Sequence, residues 1–312
     1  MRGGLLVIAL AGCTGEVEQQ VGLFEPIRVP EGEFIEEELP AAGKGGPAVT
    51  SIEAASGILN LGQQGRALAG RTTADAYAVA VRLEDLGSGW WVRPVQDEDP
   101  MFPGERDFQI GYEVGGGAPA GKHRLLVAAV DEEGRRGESY PLDVCVRDDR
   151  LPDNLNACDA SIQPPALVIV LQWDRDVDLD LVVETPDGKR ISHKAPSSAE
   201  KVDNEVPKDA LADPRVGRLT RDSNAACAVD GRNSEAIVFQ EAPARGSYLV
   251  YADLFDACGQ PGALFDVAVY RRAGSGEKFS LKEEARTDGA VWDLQASGGA
   301  GAPLYVTAVV QK

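Results

Sequence analysis

The stretch LQWDRDVDLDLVVETPDG, residues 171–188, decides the fold class of this chain. Val177, Leu179 and Leu181 alternate with polar residues there, which is typical of a β-strand with one buried face. Acidic residues stand at every second position of the same stretch: Asp174, Asp176, Asp178 and Asp180. We therefore predict a strand whose other face is lined by four carboxylates.

A row of carboxylates on one strand face is unfavourable. Residues two apart on such a face lie about 6.6 Å from each other. Two negative charges at that distance repel by about 0.6 kcal/mol in water, and by several-fold more beside a low-dielectric surface. Asp is also a poor strand former. The acidic face must therefore stay in water or be neutralised by a partner.

Three hypotheses account for the acidic face. The first is a calcium site, because Ca²⁺ binds roughly six to eight oxygen ligands from carboxylates, amides and backbone carbonyls. The second is an ion-pair network with nearby basic side chains. These are Arg175, Lys189, Arg190, Lys194 and Lys201. The third is a solvated face without a partner. We favour calcium and leave the other two open.

Short alternating runs separated by Gly, Pro and Asp recur through most of the chain, and no capped amphipathic helix interrupts them. The 35 Gly and 19 Pro in 312 residues agree with many turns. We predict an all-β protein with two consecutive β-sandwich domains. An immunoglobulin-like sandwich covers residues 48–148, a linker residues 149–165 and a jelly-roll-like sandwich residues 166–312.

The N-terminus, MRGGLLVIALAGC, has a cationic start, an apolar run at residues 5–11 and small residues before Cys13. The apolar run is too short to cross the ~30 Å hydrocarbon core as a helix, so it indicates a signal sequence at residues 1–12. Its ending, LAGC, resembles the lipobox of bacterial lipoproteins. The resemblance implies that Cys13 is acylated and anchors the chain to a membrane. An ordinary secretory signal with a chance Cys is the alternative.

The expected location follows from the same resemblance. In enteric lipoproteins a residue such as Thr14 after the Cys, rather than Asp, favours the outer membrane. We therefore expect a lipid-anchored outer-membrane protein that faces either the periplasm or the cell surface.

Residues 13–47 are predicted to be the lipidated Cys and a flexible acidic tether. Residues 14–47 contain eight Glu against one Arg and one Lys, with no sustained periodicity. Such a stretch buries too little apolar surface to fold alone. An alternative is that the apolar spots at residues 21–24 and 34–35 form a short docking segment.

The net charge of −19 argues against a nucleic-acid partner, because phosphate backbones are bound through Lys and Arg clusters. The chain has two His, His123 and His193, in different predicted domains. It has no H-E-x-x-H, no G-x-S-x-G and no phosphate-binding loop after a strand. We predict a non-enzymatic binding or scaffolding module of the cell envelope, with a protein or a glycan as its partner.

The alternative function is a carbohydrate-binding or accessory domain of an envelope hydrolase system. Trp90 and Trp91 are the candidate aromatic platform. Because adjacent strand residues face opposite ways, we expect one of the two in the core and the other at the surface or edge.

Four cysteines remain besides Cys13, an even number that suits disulfides in an oxidising compartment. Of the three possible pairings we favour Cys145 with Cys158 and Cys227 with Cys258, because each closes a loop within one region. By the loop-entropy model, a closure of about 14 residues stabilises by ~3 kcal/mol. A zinc site of four thiolates is the rival, but the expected C-x-x-C spacing is absent.

Several ordered elements of the second predicted sandwich resemble one known family. Its opening elements are Trp173-Asp174, Asp176-Val177-Asp178-Leu179, Val182 and Pro186-Asp187-Gly188. The later elements are Asp203-Asn204, the stretch from Gly231 to Glu235, and Pro243 with Gly246-Ser247-Tyr248. Together they are similar to the start and the D-N, G-P-E and P-x-G-x-Y elements of YfaP-like domains of unknown function, over about residues 166–272. Asn233-Ser234 depart from the family's Gly-Pro.

The same opening is similar to the D-x-D-L start of prepeptidase C-terminal sandwiches, some of which bind calcium. The resemblance implies a β-sandwich and no established reaction. Its elements add four candidate calcium ligands to the four aspartates, namely Asp203, Asn204, Asp230 and Glu235.

Overall fold

The computed structural model of the chain describes residues 25–39, 41–54, 56–84, 86–98, 100–203 and 205–312. The predicted signal sequence, Cys13, the first part of the tether and Asn204 lie outside the described residues. Within these ranges the protein is nearly all β, which confirms the predicted fold class.

Helical structure in the described ranges is short. It consists of α1 (Lys208–Ala212) and the 3₁₀ turns Ala225–Cys227 and Asp293–Gln295. None of the described helices has the length and hydropathy needed to span a bilayer.

The chain divides into two compact units. The first contains the residues up to 55 together with residues 64–117 and 125–141. The second contains residues 56–63, 118–124 and 142–312.

Ten strands lie among the described residues before residue 148. They are β1 (Ile27–Arg28), β2 (Glu33–Ile35), β3 (Val49–Ala54), β4 (Ile58–Asn60), β5 (Arg66–Thr73), β6 (Ala78–Leu83), β7 (Trp90–Pro94), β8 (Glu105–Val114), β9 (Gly121–Val130) and β10 (Tyr140–Arg147). One sheet has the order β1-β8-β5-β3, and the other has the order β2-β7-β6-β9-β10-β4. Leu68, Ile110 and Val127 are among the fully buried residues that these strands contribute.

The prediction that residues 13–47 form a flexible tether is wrong for the second half of this range. β1 pairs with β8, so that Ile27 lies opposite Val114, and β2 pairs with β7, so that Phe34 lies opposite Trp91. The Phe34 and Trp91 rings are 5.0 Å apart. Phe34 and Ile35 thus lie in a paired strand of the first unit. The physical reason is that Ile27 is buried and Phe34 and Ile35 are half-buried, while the Glu33 side chain stays exposed.

Trp90 and Trp91 are both buried, so the expectation that one of them faces solvent is wrong. Nε1 of Trp91 donates a 2.7 Å hydrogen bond to the carbonyl oxygen of Ile27. Trp90 packs with Val130 and with the partly buried Leu39. The N-terminal segment thus covers both indoles, and neither ring is available as a platform for a sugar.

Nine strands lie among the described residues after residue 166. They are β11 (Leu167–Trp173), β12 (Asp178–Glu184), β13 (Arg190–Ile191), β14 (Arg218–Leu219), β15 (Ser234–Phe239), β16 (Gly246–Asp256), β17 (Gly262–Ser275), β18 (Lys278–Trp292) and β19 (Leu304–Gln311). They form a five-stranded sheet, β14-β15-β11-β17-β18, and a four-stranded sheet, β13-β12-β16-β19. Leu171, Leu179 and Val250 belong to a hydrophobic core cluster that both sheets share.

The stretch at residues 171–188 crosses from one of these sheets to the other. β11 ends at Trp173 in the five-stranded sheet, and β12 begins at Asp178 in the four-stranded sheet. The N–H of Val177 donates to the carbonyl oxygen of Arg175 at 2.8 Å, which tightens the crossing. The four aspartates therefore do not share one strand face. The crossing lets β11 and β12 bury apolar residues in the same core from opposite sides.

The part of the chain that the structure describes contains two disulfides. One joins Cys145 to Cys158 and the other joins Cys227 to Cys258, and these are the pairings that the sequence favours. Because the four sulfurs are bonded in pairs, they do not form the rival zinc site.

Candidate cation site

The site is built on the first residues of β12, at an open edge of the four-stranded sheet. β12 pairs with β16 on one side, but on the other side β13 reaches only Val183 and Glu184. Asp178 and Asp180 are nevertheless 3% and 1% exposed. Burying a carboxylate is unfavourable unless hydrogen bonds or a counter-charge compensate it. The residues that cover this edge therefore decide what the two carboxylates can bind.

Glu235 comes from the other sheet and is also buried, at 1% exposure. Its Oε2 accepts a 2.7 Å hydrogen bond from the N–H of Leu181, and its Oε1 accepts one of 3.1 Å from the N–H of Ser223. The Leu181 N–H belongs to the open edge of β12. Glu235 thus supplies an acceptor that a neighbouring strand would otherwise provide.

A loop that precedes β15 closes over the edge. Nδ2 of Asn224 donates to the carbonyl oxygen of Val177 at 3.0 Å. The N–H of Ala226 donates to Oδ2 of Asp178 at 2.7 Å. The same loop carries Asp222 next to the two buried aspartates.

Asp178, Asp180 and Asp222 form the candidate cation site. Each of the three offers a carboxylate oxygen, and these oxygens lie within 4.8 Å of one another. Oxygens bound to one Ca²⁺ at about 2.3–2.6 Å cannot be more than about 5 Å apart, so the spacing suits a shared cation. The chain therefore has an Asp-rich group that could bind a metal ion.

One oxygen of this site has no partner among the described residues. Oδ2 of Asp180 is buried and accepts no hydrogen bond. Oδ1 of Asp180 lies 2.8 Å from Nδ1 of His193, although the geometry is not that of a hydrogen bond. An unsatisfied buried acceptor lowers the stability of the folded state by roughly 1–3 kcal/mol, so a bound cation or a proton on this oxygen would stabilise the fold.

Burial also sets the ionisation of the site. It raises the pKa of Asp178 to about 6, against the opposing effect of the Ala226 N–H, and the pKa of Asp180 to about 8. Repulsion from Asp178, Asp222 and Asp253 contributes to the raised pKa of Asp180. Burial likewise raises the pKa of Glu235 well above its usual range. A divalent cation would oppose these shifts, because it favours the ionised carboxylates.

The structure does not bring the other predicted ligands into this group. Asp174, Asp176, Asp203 and Asp230 are exposed, and Asn204 lies outside the described residues. Glu235 is adjacent to the group, with both oxygens engaged by backbone N–H groups. The four exposed aspartates, which the sequence offers as candidate ligands, therefore lie outside the group of Asp178, Asp180 and Asp222.

Three of those aspartates have local roles instead. Oδ1 of Asp174 accepts the N–H of Leu264 at 2.8 Å. Oδ1 of Asp176 accepts Nδ2 of Asn233 at 3.4 Å. Oδ1 of Asp230 accepts the hydroxyl of Ser223 at 2.9 Å.

The two alternative hypotheses also fail for the buried aspartates. In the described part of the chain, none of the five predicted basic residues forms a salt bridge with Asp178 or Asp180. Lys189 pairs with Asp187 at 3.3 Å, and Nζ of Lys194 donates to the carbonyl oxygen of Gly299 at 2.7 Å. A solvated acidic face is wrong for Asp178 and Asp180 because both are buried.

Sequence reasoning missed Asp222 and the role of His193 beside Asp180. Asp222 lies on a loop without periodicity and outside every element that carries the family resemblance. The one feature of the sequence near Asp222 that could have indicated its role is Cys227, five residues later. That feature places Asp222 near the site only once Cys258 is known to be the disulfide partner of Cys227.

Comparisons with known proteins give similarity to solved structures alone. No protein-family model matches the chain, and no curated protein sequence matches it significantly. The chain is similar to fibronectin(III)-like modules of Clostridium thermocellum CbhA, with 13% identity, coverage of 82% of this chain and 97% of that one, and a TM-score of 0.19. It is also similar to BcpA, the major pilin subunit of Bacillus cereus, with 10% identity, coverage of 80% and 68%, and a TM-score of 0.21. TM-scores of this size do not establish a common fold.

Proposed function

We propose that Asp178, Asp180 and Asp222 bind a calcium ion that stabilises the second β-sandwich, and that the chain is a non-enzymatic binding or scaffolding module. The observation that carries the proposal is the buried Oδ2 of Asp180, which has no hydrogen-bond partner among the described residues and lies next to two further carboxylates. A cation would satisfy this oxygen and neutralise the group at once.

The donor set supports calcium over other metals. The three side chains offer oxygen alone, whereas Zn²⁺ and Cu⁺ favour thiolate or imidazole ligands. Nδ1 of His193 approaches Asp180 without belonging to the three-carboxylate group. Mg²⁺ keeps several waters and demands near-octahedral geometry, which suits a buried protein site poorly.

The test is the thermal melting of the purified chain in a chelator, in calcium and in magnesium. A ligand at a hundred times its Kd stabilises the folded state by about 2.7 kcal/mol, which moves the midpoint by several degrees. We expect this shift with calcium and much less of it with magnesium. Equal midpoints in all three solutions would show that the group binds no calcium.

Two substitutions sharpen this experiment. Asp180→Asn and Asp178→Asn each remove one charge from the group and should abolish the calcium shift. Asp176→Asn is the matched control, because it removes the same charge from an exposed residue outside the group. A calcium shift that survives in Asp180→Asn would place the ion elsewhere.

The envelope location is a part of the proposal that rests on the sequence. Two disulfides support an oxidising compartment, and the lipobox-like residues before Cys13 support a lipid anchor in the outer membrane. Cys13→Ala should give uncleaved or soluble protein. Detergent-phase partitioning that is unchanged by Cys13→Ala would contradict the anchor.

The partner is proposed to be an envelope protein or glycan. Crosslinking in intact cells followed by a pull-down would identify it. A glycan bound on Trp90 or Trp91 is not supported, because both rings are buried.

A further inference from the structure

The Cys227–Cys258 disulfide lies directly beside the three-carboxylate group. Cys227 follows Ala226, whose N–H donates to Asp178 at 2.7 Å. Cys258 comes two residues after Asp256, the cross-strand partner of Asp178, and its N–H donates to Oδ1 of Asp256 at 2.7 Å. The bond therefore ties the loop that carries Asp222 to the strand that flanks Asp178.

The loop that carries Asp222 has a backbone conformation that is unfavourable without a restraint. Asn224, Ala226 and Cys227 have φ values of 60°, 51° and 63°, and Cys258 has a φ of 52°. Left-handed backbone is unfavourable for residues with a side chain, so a run of this kind relaxes unless its surroundings hold it. On the β12 side, the main restraints are the hydrogen bonds from Asn224 to Val177 and from Ala226 to Asp178.

The contribution of Asp222 to the site depends on this restraint together with the 3.1 Å hydrogen bond from the N–H of the adjacent Ser223 to Oε1 of Glu235. Asp178 and Asp180 are held by the strand ladder between β12 and β16. Asp222 is exposed, and it belongs to no strand or helix. Its carboxylate stays within 4.8 Å of the other two only while the loop keeps its present conformation.

We propose that the Cys227–Cys258 disulfide positions Asp222 for cation binding, so that the site binds calcium tightly only after this bond has formed. The inference rests on the calcium site proposed above and adds its dependence on oxidation. Closing the bond removes two protons and two electrons from the two thiols, and a protein disulfide of the oxidising compartment accepts them. The chain would thus acquire its cation after export rather than before it.

The first experiment measures the calcium Kd of the full chain and of two disulfide-free variants by isothermal titration calorimetry. Cys227→Ser with Cys258→Ser should weaken calcium binding roughly tenfold to a hundredfold, the range for loss of a group that orients a metal ligand. Cys145→Ser with Cys158→Ser is the matched control and should leave the Kd within about threefold. Equal effects of the two pairs would overturn the positioning role.

A double-mutant cycle tests whether the disulfide acts through Asp222. In the native chain, Asp222→Asn should weaken calcium binding strongly. In the chain without Cys227–Cys258 the same substitution should add little, because the carboxylate is already out of place. Fully additive losses would show that the disulfide stabilises the unit without positioning this ligand.

A measurement on the native chain covers the case in which the disulfide-free variant does not fold. By linkage, a bond that favours calcium binding must itself be favoured by bound calcium. Saturating calcium should therefore shift the thiol–disulfide equilibrium of Cys227–Cys258, measured in mixtures of reduced and oxidised dithiothreitol, about tenfold or more toward the disulfide, with little change for Cys145–Cys158. Equal shifts of both bonds would contradict the inference. A native chain that binds no calcium would refute the calcium site itself, whereas unchanged affinity without the bond would refute only the positioning role.

Discussion

Glu235 accepts a 2.7 Å hydrogen bond from the N–H of Leu181 across the two sheets of the second sandwich. The acceptor lies on β15 of the five-stranded sheet, and the donor lies on the open edge of β12 in the four-stranded sheet. The other oxygen of Glu235 holds the N–H of Ser223 at 3.1 Å. One buried carboxylate thus fixes both the sheet edge and the loop that together form the candidate cation site.

Glu235→Ala should lower the free energy of unfolding by roughly 2–4 kcal/mol, because two buried backbone N–H groups lose their acceptor. Urea unfolding measures the change. Glu284→Ala is the control: this exposed Glu pairs with Arg271, and an exposed ion pair is worth at most about 1 kcal/mol. Similar losses for the two variants would contradict the bridging role of Glu235.

Stability without calcium should fall as the pH rises from 4 to 8. Burial raises the pKa of Asp178 to about 6 and that of Asp180 to about 8, so the folded state keeps protons that the unfolded state has released near pH 4. For each proton that the folded state binds in excess of the unfolded state, the free energy of unfolding falls by about 1.4 kcal/mol per pH unit.

Calcium should flatten this dependence, because it binds the ionised carboxylates and gains affinity as the pH rises. Denaturant unfolding at several pH values, in chelator and in calcium, checks both statements. The Asp180→Asn variant is the control, since it lacks the group with the higher pKa of the two. A chelated protein that gains stability between pH 5 and pH 8 would contradict the prediction.

Trp91→Phe should destabilise the first unit by roughly 1–3 kcal/mol. The change removes the indole N–H and leaves the buried carbonyl oxygen of Ile27 without that donor. Trp292→Phe, on an indole that is 60% exposed, should stay within about 0.5 kcal/mol. Thermal melting of the two variants makes the comparison. An unchanged midpoint for Trp91→Phe would mean that the N-terminal segment does not depend on this bond.

Ala226→Gly should stabilise the chain by about 0.5–1 kcal/mol, because glycine adopts the left-handed φ of 51° without the cost that a Cβ imposes. Ala228→Gly is the control, at an ordinary φ of −82°, and should destabilise by about 0.5–1 kcal/mol. The two changes must have opposite signs in urea unfolding. A loss of stability in both would show that the loop has a different backbone.

The N-terminal segment shows how composition can mislead. Eight Glu in residues 14–47 indicate disorder, yet Ile27, Phe34 and Ile35 are enough to pair two short strands with β8 and β7. The sequence shows the apolar spots but not the sheets that receive them. Strand pairing between residues far apart in the chain depends on the rest of the fold, which no local pattern encodes.

The sequence by itself determined the all-β class, through period-two alternation and frequent turn residues, and it favoured the two disulfide pairings through their spacing. It also singled out Asp178 and Asp180. Only the tertiary structure decided that the aspartate row is divided between two sheets, that two of its carboxylates are buried, and that Asp222 joins them. The alternation of apolar and polar residues indicates which face of a strand each residue occupies. The position of a loop that closes over that face depends on long-range contacts, which a local sequence pattern does not contain.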